Sequence, residues 1–340
     1  MTIDLKTVLS SNSRLASVET PLVALFVGAT SGIGLGALKE FAQHAIDPRI
    51  YFVARNAKTA RAIVDELHLL NPRGQYEIIE KNVSLIKDAE AVAEFVKAKE
   101  STLDLLFLSV GFVSLDGRQD TTEGLDASMT TRYYSRLRIT QLLLPLLNRS
   151  TSPHVVSILA GGMEGSLQED DLDLRQARNW SVARASVHSA TMGTLALERL
   201  AAENPRVSFV HAYPGMVSTP LFDRLASGVA GFLLRWLVVP VIRLFSRSVA
   251  EAGQRSLFLA TSARYSVDGG IVALGAGAGG NSSGSGGALQ RGARSNGGRG
   301  IFLVGAGGEI ADNEKVLTPL RKKDMEKVWE HTEAVFNSGR

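Results

Sequence analysis

The sequence predicts an α/β fold: one doubly wound domain in which a parallel sheet is flanked by helices on both faces. Two observations predict it. From residue 21 onward, short apolar runs alternate with stretches of helical spacing, as expected for a sheet buried on both faces. The chain also has 340 residues, of which 45% are hydrophobic and 21% charged, which is enough to bury a large core.

Composition also excludes several classes of protein. The chain has no cysteine, which excludes disulfides and thiolate metal sites and fits a cytoplasmic location. The formal net charge is +3 without a dense basic run, so we expect no nucleic-acid partner. The six histidines lack metal-type spacing, and no metal site is predicted.

The strands and helices can be assigned in chain order. Strands are predicted at residues 22–27, 50–54, 76–79, 103–109, 154–159, 207–212 and 300–304. Helices are predicted at residues 35–46, 57–70, 87–100, 125–147 and 324–336. Strands separated by helices imply right-handed crossovers and therefore a parallel sheet. We assign residues 1–20 to an N-terminal segment without the apolar stretch of an export signal, and residues 21–340 to the domain.

Two further segments interrupt this alternation. Residues 218–260 are predicted to cover the substrate, and within them residues 228–245 are long and apolar enough to suggest a membrane span. Arg235, Pro240 and Arg243 disfavour a span, so we favour a buried or substrate-covering helix pair and keep peripheral membrane contact as the alternative. Residues 275–300 are rich in glycine and serine, which predicts a flexible insertion.

The strongest functional motif is the glycine-rich turn after the first strand. Its spacing is Gly-x3-Gly-x-Gly, and a helical pattern follows it at once. Glycine lets the backbone approach a pyrophosphate, and the helix N-terminus offers unpaired N–H groups. The turn therefore predicts a Rossmann-type dinucleotide site at Gly28, Thr30, Ser31, Gly32, Ile33 and Gly34.

This turn and three later blocks resemble the short-chain dehydrogenase/reductase family. The later blocks are Asn82-Val83, Ser109-Val110-Gly111 and a Pro-Gly-x-Val-x-Thr stretch containing Pro214, Gly215, Val217 and Thr219. The resemblance spans roughly residues 22–258 and implies that these residues bind a nicotinamide cofactor. Tyr133-Tyr134-Ser135-Arg136 and Trp329-Glu330-His331-Thr332 resemble a branch found in fungal secondary metabolism.

The second strand indicates which cofactor is used. Arg55 stands at its end, where NAD-dependent members of the family carry an acidic residue. A guanidinium group can pair with a 2′-phosphate, so Arg55, with Asn56 beside it, favours NADP. The alternative is an exposed arginine that caps a loop.

The chain departs from the family at the proton-transfer residues. The family's reaction needs Tyr-x3-Lys on a helix, yet no lysine occurs between Lys99 and Lys315. The two positions align with Ser181 and Ala185, or with Trp180 and Arg184 after a one-residue slip. The family's serine aligns with residues 159–161, which carry no hydroxyl group, and its helix asparagine aligns with Arg132.

Replacement residues can be suggested from helical spacing. His188 follows Arg184 by one turn on the same helix face, and Arg132 and Tyr133 come from the preceding helix. These four are the candidate catalytic residues; a purely structural role is the alternative for His188 and Arg184.

Three functions fit the sequence. The first is an NADP-dependent oxidoreductase acting on a carbonyl or alcohol of an apolar small molecule in secondary-metabolite biosynthesis. The second is an enzyme of the same fold without hydride transfer, namely an isomerase, cyclase or dehydratase, and the third is a non-catalytic binding protein. A homo-oligomer is compatible with all three.

Overall fold

The computed structural model describes residues 2–112, 117–218, 246–267, 269–272, 301–311 and 313–338. Within them lies one sheet of seven strands in the order β3-β2-β1-β4-β5-β6-β7, and every neighbouring pair is parallel. The strands are β1 Val23–Val27, β2 Arg49–Ala54, β3 Gln75–Glu80, β4 Leu105–Leu108, β5 His154–Ile158, β6 Ser208–Ala212 and β7 Ile301–Val304. The predicted α/β fold with a parallel sheet is confirmed.

The described helices cover both faces of this sheet. They are α1 Leu5–Ser13, α2 Gly32–His44, α3 Ala57–Leu70, α4 Ile86–Lys99, α5 Ala127–Met129, α6 Ser135–Leu147, α7 Val182–Glu203, α8 Val249–Thr261, α9 Glu314–Lys323 and α10 Met325–Asn337. Alternate residues of β1 serve different cores: Phe26 packs with α2 and α8, whereas Leu25 packs with α4, α6 and α7. This alternation is why the strands read as unbroken apolar runs.

The long helix predicted at residues 125–147 is not one regular α-helix. A π-helical turn, Thr130–Tyr134, separates α5 from α6. Asp126 begins the segment by accepting a hydrogen bond from the backbone N–H of Met129 at 2.8 Å. The spacing of apolar residues does not reveal such a turn. A π-helical turn contains one residue more than an α-helical turn, and the apolar spacing on either side of it remains helical.

The predicted substrate-covering segment, residues 218–260, includes a core helix at its C-terminal end. Of residues 218–260, the structure describes residue 218 and residues 246–260, and Val249–Thr261 forms α8, a core helix packed against α2. The backbones of Gly36 and Gly253 meet here so closely that a Cβ atom on Gly253 would lie 2.5 Å from the carbonyl carbon of Gly36. Residues 219–245, including the apolar stretch 228–245, lie outside the described residues.

The N-terminal segment belongs to the domain rather than preceding it. In α1, the Asn12 side chain donates a hydrogen bond to the Gln254 carbonyl oxygen at 2.9 Å, and Val8 is buried. The Ile3 backbone N–H donates to Gly307 beyond β7. The proposed boundary at residue 20 is therefore not a structural one.

Two other predictions concern the glycine-rich insertion and a possible membrane span. The insertion predicted at residues 275–300 lies outside the described residues. In the part of the chain that is described, no helix combines the length and apolar character needed to cross a bilayer.

Candidate functional site

The glycine-rich turn lies at the carboxyl edge of the sheet, where the strand order reverses between β1 and β4. Gly28 has a φ of +92°, and a Cβ atom there would lie 2.3 Å from the Val110 nitrogen. A Cβ atom on Gly34 would lie 2.3 Å from Ser109 Oγ, which donates to the Gly28 carbonyl oxygen at 3.1 Å. Only glycine lets the end of β4 close on this turn, so Ser109 and Val110 lie where the sequence predicts them.

The N-terminus of α2 has the character of an anion site. Thr30 and Ser31 are exposed, while Gly32 and Ile33 are half-buried. The first N–H groups of a helix have no partner within it, and the Ser31 side chain does not cap them. The 13-residue helix therefore presents free donors and its positive dipole end at this edge, which fits the pyrophosphate of a dinucleotide.

Arg55 lies beside this turn and is free to bind a ligand. Pairing of Val27 with Val53 sets the ends of β1 and β2 side by side, and Arg55 comes two residues later. Arg55 is exposed and makes no hydrogen bond or ion pair with the described residues. Asn56, by contrast, caps α3 by accepting a hydrogen bond from the Thr59 N–H at 3.1 Å. These contacts leave Arg55, rather than Asn56, available to a phosphate.

The residues predicted beyond β3 are committed to local structure. Oδ1 of Asn82 accepts from the Ser84 hydroxyl at 2.9 Å, and the Asn82 N–H donates to Asp88 at 3.0 Å. Val83 is buried, and its carbonyl oxygen accepts from the Ser135 hydroxyl at 2.6 Å. Asn82 thus orders the turn after β3, and Val83 ties it to the start of α6.

The Pro-Gly segment closes the opposite end of this edge. Gly215 has a φ of +75°, and a Cβ atom there would lie 2.9 Å from that of Ala306. The Arg247 guanidinium donates to the Pro214 carbonyl oxygen at 3.3 Å, and Val217 forms a parallel bridge with Arg247. The segment is thus held against β7, whereas Thr219 lies outside the described residues.

No tyrosine or lysine occupies the family's positions on α7. Ser181 is the N-cap of this helix and accepts a hydrogen bond from the Arg184 N–H at 3.2 Å, and Ala185 is buried. The Arg184 guanidinium donates to the carbonyl oxygens of Asn179 at 2.9 Å and Arg178 at 3.2 Å. Ser181 and Arg184 therefore order the start of α7.

His188 is not placed to donate a proton to a substrate. It is fully buried; its Nε2 accepts from the Gln168 N–H at 2.9 Å, and its Nδ1 faces the Leu172 carbonyl oxygen at 3.3 Å. Burial lowers its pKa, so the imidazole is neutral with the proton on Nδ1. The structure thus gives His188 the structural role, holding the loop before α7.

The hydroxyl group of Tyr133 is also committed to the fold, although the residue lines the small cavity beside Arg132 and Arg136. Its side chain is 1% exposed, and its hydroxyl hydrogen-bonds the Thr332 hydroxyl on α10 at 2.7 Å. Burial raises its pKa well above the ordinary value. Its suggested role as a catalytic group has no support in this geometry, because the hydroxyl group is buried against Thr332 of α10.

Arg132 does lie at the cleft. It stands in the π-helical turn, and its Nη1 donates to the Ser186 hydroxyl on α7 at 3.0 Å. A Cβ atom on Gly111, which is exposed beyond β4, would lie 3.2 Å from Arg132 Cγ. Burial lowers the Arg132 pKa to about 10, so the guanidinium remains charged at neutral pH. A cation thus reaches α7 next to the vacant lysine position from a neighbouring helix.

Arg136 is a site residue that sequence reasoning did not identify. It is fully buried one turn after Arg132, and its guanidinium donates to carbonyl oxygens at the ends of β4 and β5 and to the Ser157 hydroxyl at 2.8 Å. Burial, followed by repulsion from Arg132, lowers its pKa to about 9. The available signal was that Arg132, Arg136 and Arg138 are the charged residues of a segment, residues 127–147, that is otherwise uncharged.

A second buried polar group was also missed. The Thr194 hydroxyl donates to Glu164 Oε1 at 2.7 Å and accepts from His211 Nδ1 at 2.9 Å. Burial lowers the pKa of His211 to about 4, and its Nε2 faces the Ala160 N–H at 3.4 Å. Ala160 lies in the stretch where the family has its serine. Elsewhere in the described chain, no three His, Asp or Glu side chains are arranged to hold a metal ion.

Comparison with known proteins agrees with this architecture. The family model for short chain dehydrogenase matches residues 22–229. An oxidoreductase of Aspergillus sp. named notO, described as NmrA-like, is 45% identical over 99% of this chain and 96% of its own length. Oxidoreductase AN1596 of Emericella nidulans is 37% identical, covering 98% of each chain.

Solved structures share the fold. A short-chain dehydrogenase from Sphingobium yanoikuyae, solved in complex with NADPH, has a TM-score of 0.51 at 18% identity and covers 70% of this chain and 83% of that one. The extent of the family match and the near-complete alignment with the relatives lead to one conclusion. The chain belongs to the short-chain dehydrogenase family.

Proposed function

We propose that the protein is an NADP-dependent oxidoreductase acting on a carbonyl or alcohol group of an apolar small molecule. The observation that carries this proposal is Arg55, which is exposed and unpartnered among the described residues beside the uncapped N-terminus of α2. The oxidoreductase names of the two fungal relatives support the reaction class.

Different residues of the chain would bind different parts of the cofactor. The N–H groups at the start of α2 would hold the pyrophosphate, and Arg55 would pair with the 2′-phosphate. The Pro214–Gly215 segment, held by Arg247, would flank the nicotinamide end. When bound, the cofactor supplies or accepts the hydride.

The substrate class rests on composition. Between residues 221 and 245 the sequence carries Phe222, Phe232, Trp236 and Phe245 among leucines and valines, which favours an apolar ligand. These residues lie outside the described ranges. The fungal sources of the relatives support a substrate from secondary metabolism.

A second candidate is a family member that binds the cofactor without transferring a hydride. The commitment of Ser181, His188 and Tyr133 to structural hydrogen bonds favours it, because the described cleft then lacks a neutral side-chain acid.

Turnover distinguishes the two candidates. Purified protein is mixed with NADPH and a panel of apolar ketones, and cofactor oxidation is followed by absorbance, with NADH as the matched control. We expect ketone-dependent oxidation of NADPH in preference to NADH. NADPH binding without oxidation across the panel would favour the second candidate.

A further inference from the structure

The side chain of Arg247 joins three segments beneath the Pro214–Gly215 segment. Its guanidinium group donates to the carbonyl oxygen of Pro214 at 3.3 Å and to that of Ala306, in the loop after β7. The same group pairs with Glu251 in the first turn of α8, with 3.5 Å between Nε and Oε1. A Cβ atom on Gly215 would lie 3.4 Å from Arg247 Nη1, so the turn rests directly on this side chain.

The backbone of Arg247 holds the same segment a second time. Its N–H donates to the Met216 carbonyl oxygen at 3.0 Å, and its carbonyl oxygen accepts from the Ser218 N–H at 3.0 Å. These two hydrogen bonds form the parallel bridge to Val217. In such a bridge the N–H of Val217 itself points to the side away from Arg247. Residues 214–218 are therefore held from two directions by one residue.

The N–H group that this bridge leaves over is a donor for a ligand. Val217 is 4% exposed, and its N–H makes no hydrogen bond with the described residues. A buried N–H group without an acceptor is rare in folded proteins, because it has lost its hydrogen bonds to water. The carboxamide oxygen of a nicotinamide ring is an acceptor that suits this donor.

Arg255 provides a comparison within the same network. Its Nε pairs with the same Glu251 oxygen at 2.8 Å, but its Nη1 donates to the carbonyl oxygen of Ile3, in the N-terminal segment, at 3.0 Å. The two arginines thus share a charge and a carboxylate partner and hold different parts of the chain. Among the described residues, Arg247 is the one of the two that reaches the segment after β6.

We infer that Arg247 is a positioning residue for the nicotinamide half of the cofactor site. It holds residues 214–218 in place before the cofactor arrives, so binding does not have to order them and the entropic cost of binding is smaller. Arg55 follows β2, and three strands separate β2 from β6, which places the two ends of the site roughly 20 Å apart. Loss of the Arg247 side chain should therefore weaken the nicotinamide half alone. The inference rests on the proposed function and deepens it.

The test compares the whole cofactor with its adenine half. Affinities for NADPH and for 2′,5′-ADP, which lacks the nicotinamide, are measured by calorimetry. We expect Arg247→Met to weaken NADPH by about tenfold, as for a lost hydrogen bond to a charged group, and to change 2′,5′-ADP by less than about twofold. Arg255→Met is the matched control and should change neither affinity. An equal loss of both ligands in Arg247→Met, or no loss of NADPH, would overturn the inference.

Hydrogen exchange tests the same role without the cofactor. In Arg247→Met, the backbone N–H groups of residues 213–218 should exchange at least about tenfold faster than in the wild type, while those of α2 should not change. Unchanged exchange of residues 213–218 would contradict the inference. Arg247→Lys keeps the charge but not the planar set of donors, so it should show smaller changes in the same direction. Should Arg247→Met not fold, Arg247→Lys decides, and wild-type behaviour of that variant in both measurements would overturn the inference.

The proposed function and this inference can fail separately. If the wild type binds neither NADPH nor 2′,5′-ADP, the proposed function fails, and hydrogen exchange decides whether Arg247 holds the segment. If the wild type binds both ligands with equal affinity, the cofactor site stands. The nicotinamide half then contributes no affinity, and the inference is overturned.

Discussion

At the scale of single residues, several of the predicted site residues already use their polar atoms in hydrogen bonds that hold the fold. Ser181, His188 and Tyr133 each use their polar atoms on neighbouring backbone or helices. Arg55 differs from them because it is exposed and has no partner among the described residues, and Arg132 differs because its guanidinium group reaches Ser186 on α7 from a neighbouring helix. We therefore expect ligand binding at this edge to depend on Arg55 in particular.

Arg55 should set the preference for the phosphorylated cofactor. Arg55→Asp replaces an attractive contact to the 2′-phosphate by a repulsive one, so NADPH affinity should fall by roughly 2–3 kcal/mol while NADH affinity changes little. Fluorescence titration measures both. Arg61→Asp makes the same charge change on the exposed face of α3 and is the control. An equal loss of NADPH affinity in both variants would show that the change in net charge, rather than a contact with Arg55, sets the affinity.

At the scale of elements, close backbone contacts fix the helices next to the cleft. Gly36 on α2 and Gly253 on α8 meet without side chains between them. This contact holds α2, the helix that follows the glycine-rich turn.

A methyl group at this contact should separate the two helices. We expect Gly253→Ala to lower the free energy of unfolding by about 1–3 kcal/mol through overpacking. Gly193→Ala is the matched control, because a Cβ atom there meets only His211 Cε1 at 3.8 Å, an ordinary contact. Removal of a helical glycine should stabilise that variant by up to about 1 kcal/mol. Urea unfolding of both tests this, and equal stabilities would contradict it.

The regular elements could be predicted from sequence, and the distorted ones could not. Helix α3 has the predicted bounds, residues 57–70, because its apolar spacing is regular and Asn56 caps it. The π-helical turn at Thr130–Tyr134 escaped prediction because apolar spacing does not record one added residue. Residues 249–260 are predicted as part of the substrate-covering segment, but they lie in α8, which packs against α2.

For the candidate site, too, the sequence predicts what local order determines and not what contacts between distant elements determine. The glycine turn and Arg55 follow strands directly, so local sequence places them. Arg136, Glu164 and His211 come together only through contacts between distant elements. Helical spacing suggested that His188 faces the nicotinamide, but the loop before α7 covers that side of the helix.

At the scale of the whole molecule, buried histidines tie stability to pH. Burial lowers the pKa values of His154 and His211 to about 4, from an ordinary 6.5. The unfolded chain therefore binds protons below pH 6.5 that the folded chain cannot bind. Stability should be complete above that pH and should fall as the pH approaches 4.

His154→Leu tests this dependence away from the cleft. The wild type should lose about 2 kcal/mol for this histidine between about pH 7.5 and about pH 5, and the variant should not. Denaturant unfolding at the two pH values gives the difference. His68→Leu, at an exposed position of α3, should keep the wild-type dependence; the same dependence in all three proteins would refute the assignment.

The central claim is that the turn after β1 and Arg55 together bind a phosphorylated nicotinamide cofactor. The most direct measurement is a fluorescence titration of the purified wild-type protein with NADPH and, separately, with NADH. We predict that NADPH binds more tightly by at least about 2 kcal/mol, or roughly 30-fold. Equal affinity for the two, or no binding of NADPH, would contradict the account.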